Sequence, residues 1–337
     1  MTELSVRGRA EAAIARALLG LPESLVQRLA GSPIEVDGQR MAPDAQLLLR
    51  LRNLAPNAPY EEMPVADARR TLDEDAAAVR GKLLPVAEVR DVEVAGLSAR
   101  LYVPEVEHGG LLVYYHGGGW VLGSLDSHEQ PCRFLAREGA VRVLSVDYRL
   151  APEAKFPAAV EDGLAAFAWA REHAAELETD PDRIGVGGDS AGGNISAVVE
   201  QLAEPKPALA LLIYPVCDLS KKYESYRLFG EGFFLTERNM DWYRTNYLPD
   251  EQSGRDPRAS PLLADDLSGL PRTYVLVAGF DALRDEGLAY ARRLEDAGVD
   301  VELAFHPGLF HGCANATGVA RTSAAAMNEA AKVLKTL

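Results

Sequence analysis

One stretch constrains the fold of this chain more than any other: residues Arg183–Asn194, which read Arg-Ile-Gly-Val-Gly-Gly-Asp-Ser-Ala-Gly-Gly-Asn. Ile184 and Val186 alternate with glycines as in a short buried strand, and residues 194–202 are typical of a helix. The Gly-Asp-Ser-Ala-Gly turn between them places Ser190 at its apex. Such a turn projects the serine hydroxyl away from a sheet, and glycines two residues before and after it avoid steric collisions.

This turn admits two chemical interpretations. The amide after Ser190, on Ala191, lies near the start of the predicted helix, where free N–H groups favour a developing negative charge, so a nucleophilic serine fits. A glycine-rich turn between strand and helix can also bind phosphate, and in a chain with 29 glycines the motif alone does not decide. A nucleophile further needs a histidine to take its proton and a carboxylate to orient that histidine.

Short apolar runs alternate with helix-like segments from residue 86 onward. Besides the strand before Ser190, the predicted strands are Val86–Val94, Leu97–Val103, Leu111–Tyr115, Val141–Val146, Ala208–Tyr214, Thr273–Ala278 and Val301–Phe305. The predicted helices are Glu129–Glu138, Ala158–Leu177, Asn194–Leu202, Glu286–Ala297 and Ala320–Leu337. This alternation predicts an α/β fold with a mostly parallel sheet of about eight strands and helices on both faces.

Two segments fall outside the alternation. Residues 1–80 read as helices and loops without a catalytic pattern, and residues 218–271 contain no clear strand but many Tyr, Phe and Trp side chains. An aromatic insertion after a strand either covers a pocket as a lid or packs onto the domain as an ordinary excursion. We favour the lid, because loops at this end of a parallel sheet surround the ligand site.

Composition narrows the class of protein. The chain has 337 residues, of which 47% are hydrophobic and 25% charged, as is ordinary for a soluble globular protein. The net charge of −15 argues against nucleic acid or an anionic membrane surface as a partner. The three cysteines fit a reducing compartment. We find no signal peptide and no apolar run of about 18 residues, and therefore expect a cytoplasmic protein.

A glycine-rich loop, His116-Gly-Gly-Gly-Trp120, directly follows the predicted strand Leu111–Tyr115. Three glycines after a strand end let backbone amides approach a ligand without obstruction by side chains, as in oxyanion loops of the H-G-G-G type. The alternative is a flexible turn. We expect amides of this loop to bind an oxyanion, and His116 to anchor the loop by hydrogen bonds rather than to act as a base.

The orienting carboxylate is predicted to be Asp281. It is the first carboxylate after the predicted strand Thr273–Ala278, where a loop residue can reach toward the serine. Asp285 and Glu286 compete for the role, but they fall at the start of the next helix, where acidic residues stabilise the first turn.

The base is predicted to be His311, which lies just past the last predicted strand. Gly308 and Gly312 flank it and suit a mobile loop that delivers an imidazole. His306, directly after the strand, is its main rival. The remaining histidines, His108, His128 and His173, lie in polar, loop-like or helical settings. The order Ser190, Asp281, His311 is the one expected of an α/β-hydrolase.

Several motifs together resemble one family. They are His116-Gly-Gly-Gly-Trp120, Asp147-Tyr-Arg-Leu-Ala-Pro-Glu153, Gly188-Asp-Ser-Ala-Gly-Gly-Asn194, Asp281-Ala-Leu-Arg-Asp-Glu286 and Phe310-His-Gly312. Over about residues 80–337 the chain resembles the bacterial hormone-sensitive-lipase-like carboxylesterases of the α/β-hydrolase superfamily. The resemblance implies a nucleophile, acid and base at Ser190, Asp281 and His311. It also implies an oxyanion hole of backbone amides in the positions Gly118, Gly119 and Ala191, with the adjacent Gly117 included.

The resemblance also implies a division of the chain. In the family the N-terminal helices and an insertion after the sixth strand form a cap. Residues 1–80 and 218–250 would play these parts here, and residues 81–217 and 251–337 would form the catalytic domain. The segment Asp147–Glu153 is a marker of the family for which we expect a structural role.

The chain departs from the family pattern at two positions. Ala282 stands where a proline usually follows the acid, and Cys313 stands where a bulky residue is usual. Neither change removes a catalytic group. Because Cys313 lies beside the predicted base, we hypothesise that thiol reagents affect activity.

The predicted function is that of a serine carboxylesterase acting on short- to medium-chain esters through an acyl-enzyme, without a metal or organic cofactor. An amidase or N-acyl hydrolase with the same triad is the alternative within enzymes. A ligand-binding protein on the same fold is the alternative outside them. The plant gibberellin receptors resemble these esterases but lack the catalytic histidine, whereas His311 is present here. A small ester is the expected partner, and a homodimer is common among relatives.

Overall fold

The computed structural model describes residues 6–54, 58–106 and 108–337. Residues 1–5 and 55–57 of the predicted N-terminal cap segment, and Glu107 of the predicted catalytic domain, lie outside the described residues. The strands are β1 (Glu35–Val36), β2 (Gln39–Arg40), β3 (Glu88–Val94), β4 (Leu97–Val103), β5 (Leu111–Tyr115), β6 (Arg142–Val146), β7 (Ile184–Asp189), β8 (Ala210–Ile213), β9 (Thr273–Phe280) and β10 (Val301–Phe310).

An eight-stranded sheet forms the centre of the fold, in the order β10-β9-β8-β7-β5-β6-β4-β3. The strands from β10 to β6 pair in parallel, whereas β4 pairs antiparallel with both β6 and β3. Ala95 and Gly96 join β3 to β4 with positive φ angles of 52° and 81°, as a tight hairpin requires. The predicted α/β fold with a mostly parallel sheet is thereby confirmed.

Helices pack on both faces of this sheet. The helices of the described residues are α1 (Val6–Leu19), α2 (Glu23–Ala30), α3 (Pro43–Leu54), α4 (Val65–Val79), α5 (Glu129–Gly139), α6 (Ala158–Glu172), α7 (Ala191–Leu202), α8 (Glu224–Phe229), α9 (Glu237–Tyr247), α10 (Arg284–Asp296) and α11 (Arg321–Leu334). Leu111, Val113 and Tyr115 of β5 join the core with α6, α7 and α10, while Leu112 and Tyr114 join the core with α5 and α11. The fully apolar strand thus has a buried environment on each side.

The carboxyl ends of the parallel strands meet at one edge of the sheet, and there the predicted site residues are collected. The glycine loop follows β5, Ser190 follows β7, Asp281 follows β9 and His311 follows β10. Segments far apart in the sequence therefore converge because their strands are parallel neighbours.

The last two strands are longer than the sequence predicts. β9 runs on to Phe280 and β10 to Phe310, with an irregular register between His306 and Phe310. Gly308 therefore lies inside a strand, where its carbonyl accepts from the Ala42 amide at 2.9 Å, and it is not part of the mobile loop predicted before His311. Apolar patterning missed this extension because Pro307 and Gly308 are unusual in a strand interior.

Several helix boundaries also differ from the prediction. α7 begins at Ala191 rather than Asn194, and α6 ends at Glu172 rather than Leu177. In the N-terminal region Pro22 lies between α1 and α2, because a proline cannot continue the preceding helix. Within residues 218–271 the structure has α8, α9 and short 3₁₀ turns but no strand, as predicted. None of the helices in the described ranges combines the length and apolar character needed to span a bilayer.

Candidate active site

Ser190 forms the apex of a sharp turn between β7 and α7. Its φ of 56° and ψ of −115° lie in a region that residues other than glycine rarely adopt. Backbone hydrogen bonds hold the turn: the Ser190 amide donates to the Ile213 carbonyl at 2.9 Å, and the Ser190 carbonyl accepts from the amides of Asn194 at 3.0 Å and Val216 at 3.2 Å. The strained backbone is therefore fixed at the end of β7.

The two glycines of the motif are required by close packing. A Cβ on either Gly188 or Gly192 would collide with the carbonyl oxygen of Tyr115 at the end of β5. The start of α7 therefore approaches β5 at backbone contact, which no larger residue permits. This is the steric reason that the sequence suggested for the spacing around Ser190.

The side chains of Asp281, His311 and Ser190 form a hydrogen-bonded chain. His311 Nδ1 lies 2.8 Å from Asp281 Oδ2, and His311 Nε2 lies 2.9 Å from Ser190 Oγ. Because a carboxylate only accepts hydrogen bonds, Nδ1 carries the proton and Nε2 accepts from the serine hydroxyl. The structure thus brings together the three side chains that the sequence predicts as base, acid and nucleophile.

The surroundings of Asp281 and His311 keep both side chains in place. Asp281 is 2% exposed, and its second oxygen, Oδ1, accepts from the Leu283 amide at 2.9 Å. The His311 ring packs against the Tyr214 ring, with 4.7 Å between the centroids. The imidazole is therefore held both by a buried carboxylate and by a buried aromatic ring.

The rival residues have partners of their own. Asp285 Oδ2 accepts from the Ser225 amide at 2.9 Å, and Glu286 Oε1 accepts from the Cys217 amide at 2.8 Å. Burial raises the pKa of the Glu286 carboxyl well above its ordinary value. His306 Nε2 lies 3.4 Å from Glu329, on α11. None of these three side chains joins the hydrogen-bonded chain of Ser190.

The glycine loop after β5 is hydrogen-bonded to Asp189, the residue before Ser190. Gly118 and Gly119 have φ angles of 117° and 62°, which favour glycine. Within the described chain no acceptor is assigned to the amides of Gly118, Gly119 or Ala191. The Gly117 amide, in contrast, donates to Asp189 Oδ1 at 3.0 Å. Because its N–H is already engaged within the protein, Gly117 is a weaker candidate for the oxyanion hole than Gly118 and Gly119.

His116 anchors the loop as expected. The ring is buried, and its Nδ1 donates to the Gly117 carbonyl at 2.8 Å. Tyr148, from the segment Asp147–Glu153, stacks on the ring at 4.4 Å between centroids and donates its hydroxyl to the His116 carbonyl at 2.8 Å. Burial, together with the nearby His128, lowers the pKa of His116 to about 3, so the imidazole is neutral.

A buried pair beside the loop was missed by sequence reasoning. His128 Nε2 lies 3.1 Å from Asp189 Oδ1 and 3.2 Å from the Gly117 amide nitrogen. Since the carboxylate only accepts, Nε2 carries a proton and the Gly117 amide donates to Asp189. Burial raises the pKa of Asp189, but His128 and the Tyr114 hydroxyl outweigh this and hold it at about 2. The one signal in the sequence was that a carboxylate, Asp189, stands between a predicted buried strand and Ser190.

The aromatic insertion packs against the residues that precede Asp281 and His311. The Phe233 ring lies 5.4 Å from the ring of Phe280, which precedes Asp281. The Phe234 ring stacks at 3.9 Å on Phe310, which precedes His311. Part of the segment is thus packed onto the site. Its movement as a lid stays a prediction.

The positions that depart from the family pattern are both buried. Burial raises the pKa of the Cys313 thiol, which disfavours the reactive thiolate that the hypothesis on thiol reagents requires. Ala282 is buried beside Asp281, and its carbonyl accepts from the Ser225 hydroxyl at 2.5 Å. In the part of the chain that the structure describes, no group of three or more His, Cys, Asp or Glu side chains is arranged to hold a metal ion.

Comparisons with known proteins show that this chain is similar to ester hydrolases. Residues 112–315 match the model of a family with the alpha/beta hydrolase fold. The chain is similar to the carboxylic ester hydrolase LipN of Mycobacterium tuberculosis, at 44% identity over 91% of this chain and 85% of the relative. It is also similar to the ethyl acetate hydrolase of Pseudomonas putida, at 38% identity over 80% and 90%. The solved hyperthermophilic esterase of the archaeon Pyrobaculum calidifontis superposes with a TM-score of 0.84, at 35% identity over 88% of this chain and 98% of the other.

Proposed function

Since the chain belongs to the hormone-sensitive-lipase-like bacterial carboxylesterases of the α/β-hydrolase superfamily, we propose that Ser190, His311 and Asp281 are its catalytic triad. The protein is a carboxylic ester hydrolase. The observation that supports this assignment of roles is the hydrogen-bonded chain from Asp281 through His311 to Ser190, with distances of 2.8 Å and 2.9 Å.

In the first half of the reaction, Ser190 Oγ attacks the ester carbonyl while His311 Nε2 takes the hydroxyl proton. Asp281 holds the imidazole in the tautomer with Nδ1–H and stabilises the imidazolium that forms. The tetrahedral intermediate then collapses. His311 gives its proton to the alcohol that leaves, and the acyl group stays on Ser190.

The amides of Gly118, Gly119 and Ala191 are proposed to bind the oxyanion of this intermediate. Ala191 is the first residue of α7, where unpaired N–H groups favour negative charge. Each such donor lowers the barrier by about 3 kcal/mol in serine hydrolases. The Gly117 amide is left out, since it donates to Asp189.

In the second half, water takes the place of the alcohol. His311 accepts a proton from water, which attacks the acyl-enzyme carbonyl. The same amides bind the second oxyanion, and the acid leaves as Ser190 recovers its proton from His311. The cycle uses groups of this chain and water alone.

We further propose a cap made of residues 1–80 and 218–250 over the catalytic domain, and a preference for short- to medium-chain esters. Contacts between the two cap segments support this division: Arg52 of α3 donates to the carbonyls of Phe233 and Phe234, each at 3.2 Å. The ethyl acetate hydrolase among the relatives is named for a small ester, which supports the preference for short chains.

Hydrolysis of p-nitrophenyl esters from acetate to palmitate tests the proposal. We expect a maximum at short to medium chains, and a loss of about 10⁴-fold or more in kcat for Ser190→Ala. Ser196→Ala is the matched control, because Ser196 is a buried serine of α7, the helix that follows Ser190, and its hydroxyl donates to the Gly192 carbonyl at 2.9 Å. Undiminished turnover by Ser190→Ala would refute the nucleophile. A maximum at palmitate would refute the chain-length preference.

A further inference from the structure

We propose that helix α9 clamps the oxyanion loop, with Tyr243 and Tyr247 as positioning residues for Gly119 and Trp120. The inference rests on the proposed function, in which amides of this loop bind the oxyanion. Tyr243 and Tyr247 are four residues apart, so their side chains lie on one face of the helix. Their rings contact two consecutive residues of the loop.

Tyr243 packs directly on Gly119. A Cβ on Gly119 would overlap the Cγ, Cδ1 and Cδ2 atoms of the Tyr243 ring, so the face of the ring lies against the Gly119 α-carbon. Gly119 also has a φ of 62°, in the left-handed region. The Tyr243 ring fills the space into which the loop would otherwise relax. The direction of the Gly119 N–H therefore depends on the Tyr243 ring.

Tyr247 holds the next residue, Trp120. The two rings stack with 4.2 Å between centroids and 4° between planes. Trp120 has a φ of 60°, a conformation that is strained for a residue with a side chain. Stacking of buried aromatic rings stabilises their contact beyond the burial of their area. The stack thus offsets part of the strain in the loop.

Both ends of α9 are fastened to other parts of the protein. At the first turn, Asn239 Nδ2 donates to Glu61 Oε2 at 2.6 Å. At the last turn, Lys155 Nζ donates to the carbonyls of Thr245 and Leu248, each at 3.1 Å. A helix held at both ends presents its two tyrosines at fixed positions, as a clamp requires.

The clamp has a definite kinetic consequence. The full negative charge on the substrate oxygen develops only as the tetrahedral intermediate forms. Misaligned amides therefore reduce the stabilisation of the transition state more than they reduce the binding of the substrate. Loss of the clamp is therefore expected to lower kcat and to leave KM nearly unchanged.

Tyr243→Leu tests the clamp, with Tyr243→Phe as the conservative variant. We expect kcat to fall about 10- to 100-fold in Tyr243→Leu with KM changed less than about threefold. Tyr243→Phe keeps the ring and is expected to restore most of kcat. Tyr274→Leu controls for the loss of a buried tyrosine, because Tyr274 is buried near the start of β9, at the opposite end of the strand from the site. Equal kcat in Tyr243→Leu and Tyr243→Phe would overturn the proposal.

A double variant tests the same contact a second time, through the coupling between its two changes. Gly119→Ala places a methyl group into the Tyr243 ring, and Tyr243→Ala removes that ring. Because both changes act at one contact, the kcat of the double variant is expected to be about equal to the kcat of the less active single variant. If the fold-loss in kcat of the double variant equals the product of the two single losses, Gly119 and Tyr243 act independently, and the clamp is overturned.

Ser190→Ala measured beside these variants separates the clamp from the proposed function. If Ser190→Ala is inactive and Tyr243→Leu retains full kcat, the clamp is wrong and the triad stands. If Ser190→Ala remains active, the proposed nucleophile is wrong, and the clamp loses its foundation as well.

Discussion

The Asp189 carboxylate accepts a hydrogen bond from the Gly117 amide at 3.0 Å and so joins the residue before Ser190 to the first glycine of the loop after β5. The same oxygen, Oδ1, accepts from the Tyr114 hydroxyl at 2.7 Å. The two halves of the site therefore share one buried carboxylate. A change at this carboxylate is expected to disturb both the turn of Ser190 and the loop.

Asp189→Asn tests this relationship. The amide group of asparagine keeps one accepting oxygen but directs N–H groups at donors, so at least one buried hydrogen bond is lost. We expect kcat/KM to fall at least about tenfold and the free energy of unfolding to fall by about 1–3 kcal/mol. Steady-state kinetics and denaturant unfolding measure the two effects. Asp44→Asn is the matched control, since Asp44 is a buried aspartate that binds Thr322. Wild-type kcat/KM in Asp189→Asn would contradict the shared role.

Gly192→Ala is expected to abolish the native fold or the activity. Its Cβ would collide with the Tyr115 carbonyl, and neither the strand nor the helix can move without disturbing Ser190. Gly269→Ala is the control: Gly269 has a φ of 69° but no atom within 4 Å of a Cβ, so only about 1 kcal/mol of backbone strain is expected. Soluble yield, circular dichroism and esterase activity distinguish the variants. An active, folded Gly192→Ala protein would contradict the steric account.

His116→Asn and His311→Asn are predicted to differ sharply. His311→Asn removes the proposed base, and kcat is expected to fall by several orders of magnitude. His116 has a pKa of about 3 and is therefore neutral over the pH range of the assay. Its replacement removes a contact that holds the loop but does not remove a group that takes part in proton transfer. For His116→Asn we expect a smaller loss of kcat and an unchanged pH optimum. A pH–rate profile of each variant makes the comparison, and a shifted profile for His116→Asn would contradict the structural role.

Glu200 is predicted to make the protein less stable as the pH rises. It is buried in α7, and burial raises its pKa from 4.5 to about 8, although Tyr290 and Thr273 donate hydrogen bonds to it. Between these two pKa values the folded state holds a proton that the unfolded chain has lost. The free energy of unfolding therefore falls by up to about 1.4 kcal/mol per pH unit from this group.

Glu200→Gln removes this titration. We expect the variant to lose less stability than the wild type between pH 5.5 and pH 8.5, measured as the midpoint of chemical unfolding at each pH. Glu329→Gln, a partly exposed glutamate on α11, serves as the control. An equal fall in stability for the wild type and Glu200→Gln would contradict the raised pKa of Glu200.

The features that depend on local residue patterns could be predicted from the sequence. The apolar runs at Leu111–Tyr115 and Thr273–Ala278 predicted buried parallel strands, and parallel strands bring their carboxyl ends to one edge. Ser190, Asp281 and His311 each follow such a strand. Their meeting therefore follows from topology, and it was predictable without knowledge of any side-chain position.

The features that escaped prediction depend on the directions of side chains. Nothing in the sequence indicates that the Asp189 carboxylate binds the Gly117 amide, or that the side chain of His128, at the start of α5, contacts the same carboxylate. The contact of Tyr243 with Gly119 depends on how α9 crosses the loop. Such contacts are set by tertiary packing between segments distant in the chain, which periodicity and motif spacing do not encode.

Covalent labelling of Ser190 tests the central claim most directly. A p-nitrophenyl alkylphosphonate ester loses p-nitrophenolate when a serine oxygen attacks its phosphorus, and the phosphonyl group then stays on that serine. Peptide mass spectrometry is expected to find one phosphonyl group per chain, on Ser190, with parallel loss of esterase activity. Labelling should be at least about 100-fold slower in His311→Asn and absent in Ser190→Ala. Inactivation with the phosphonyl group on any other residue would contradict the assignment of Ser190 as the nucleophile.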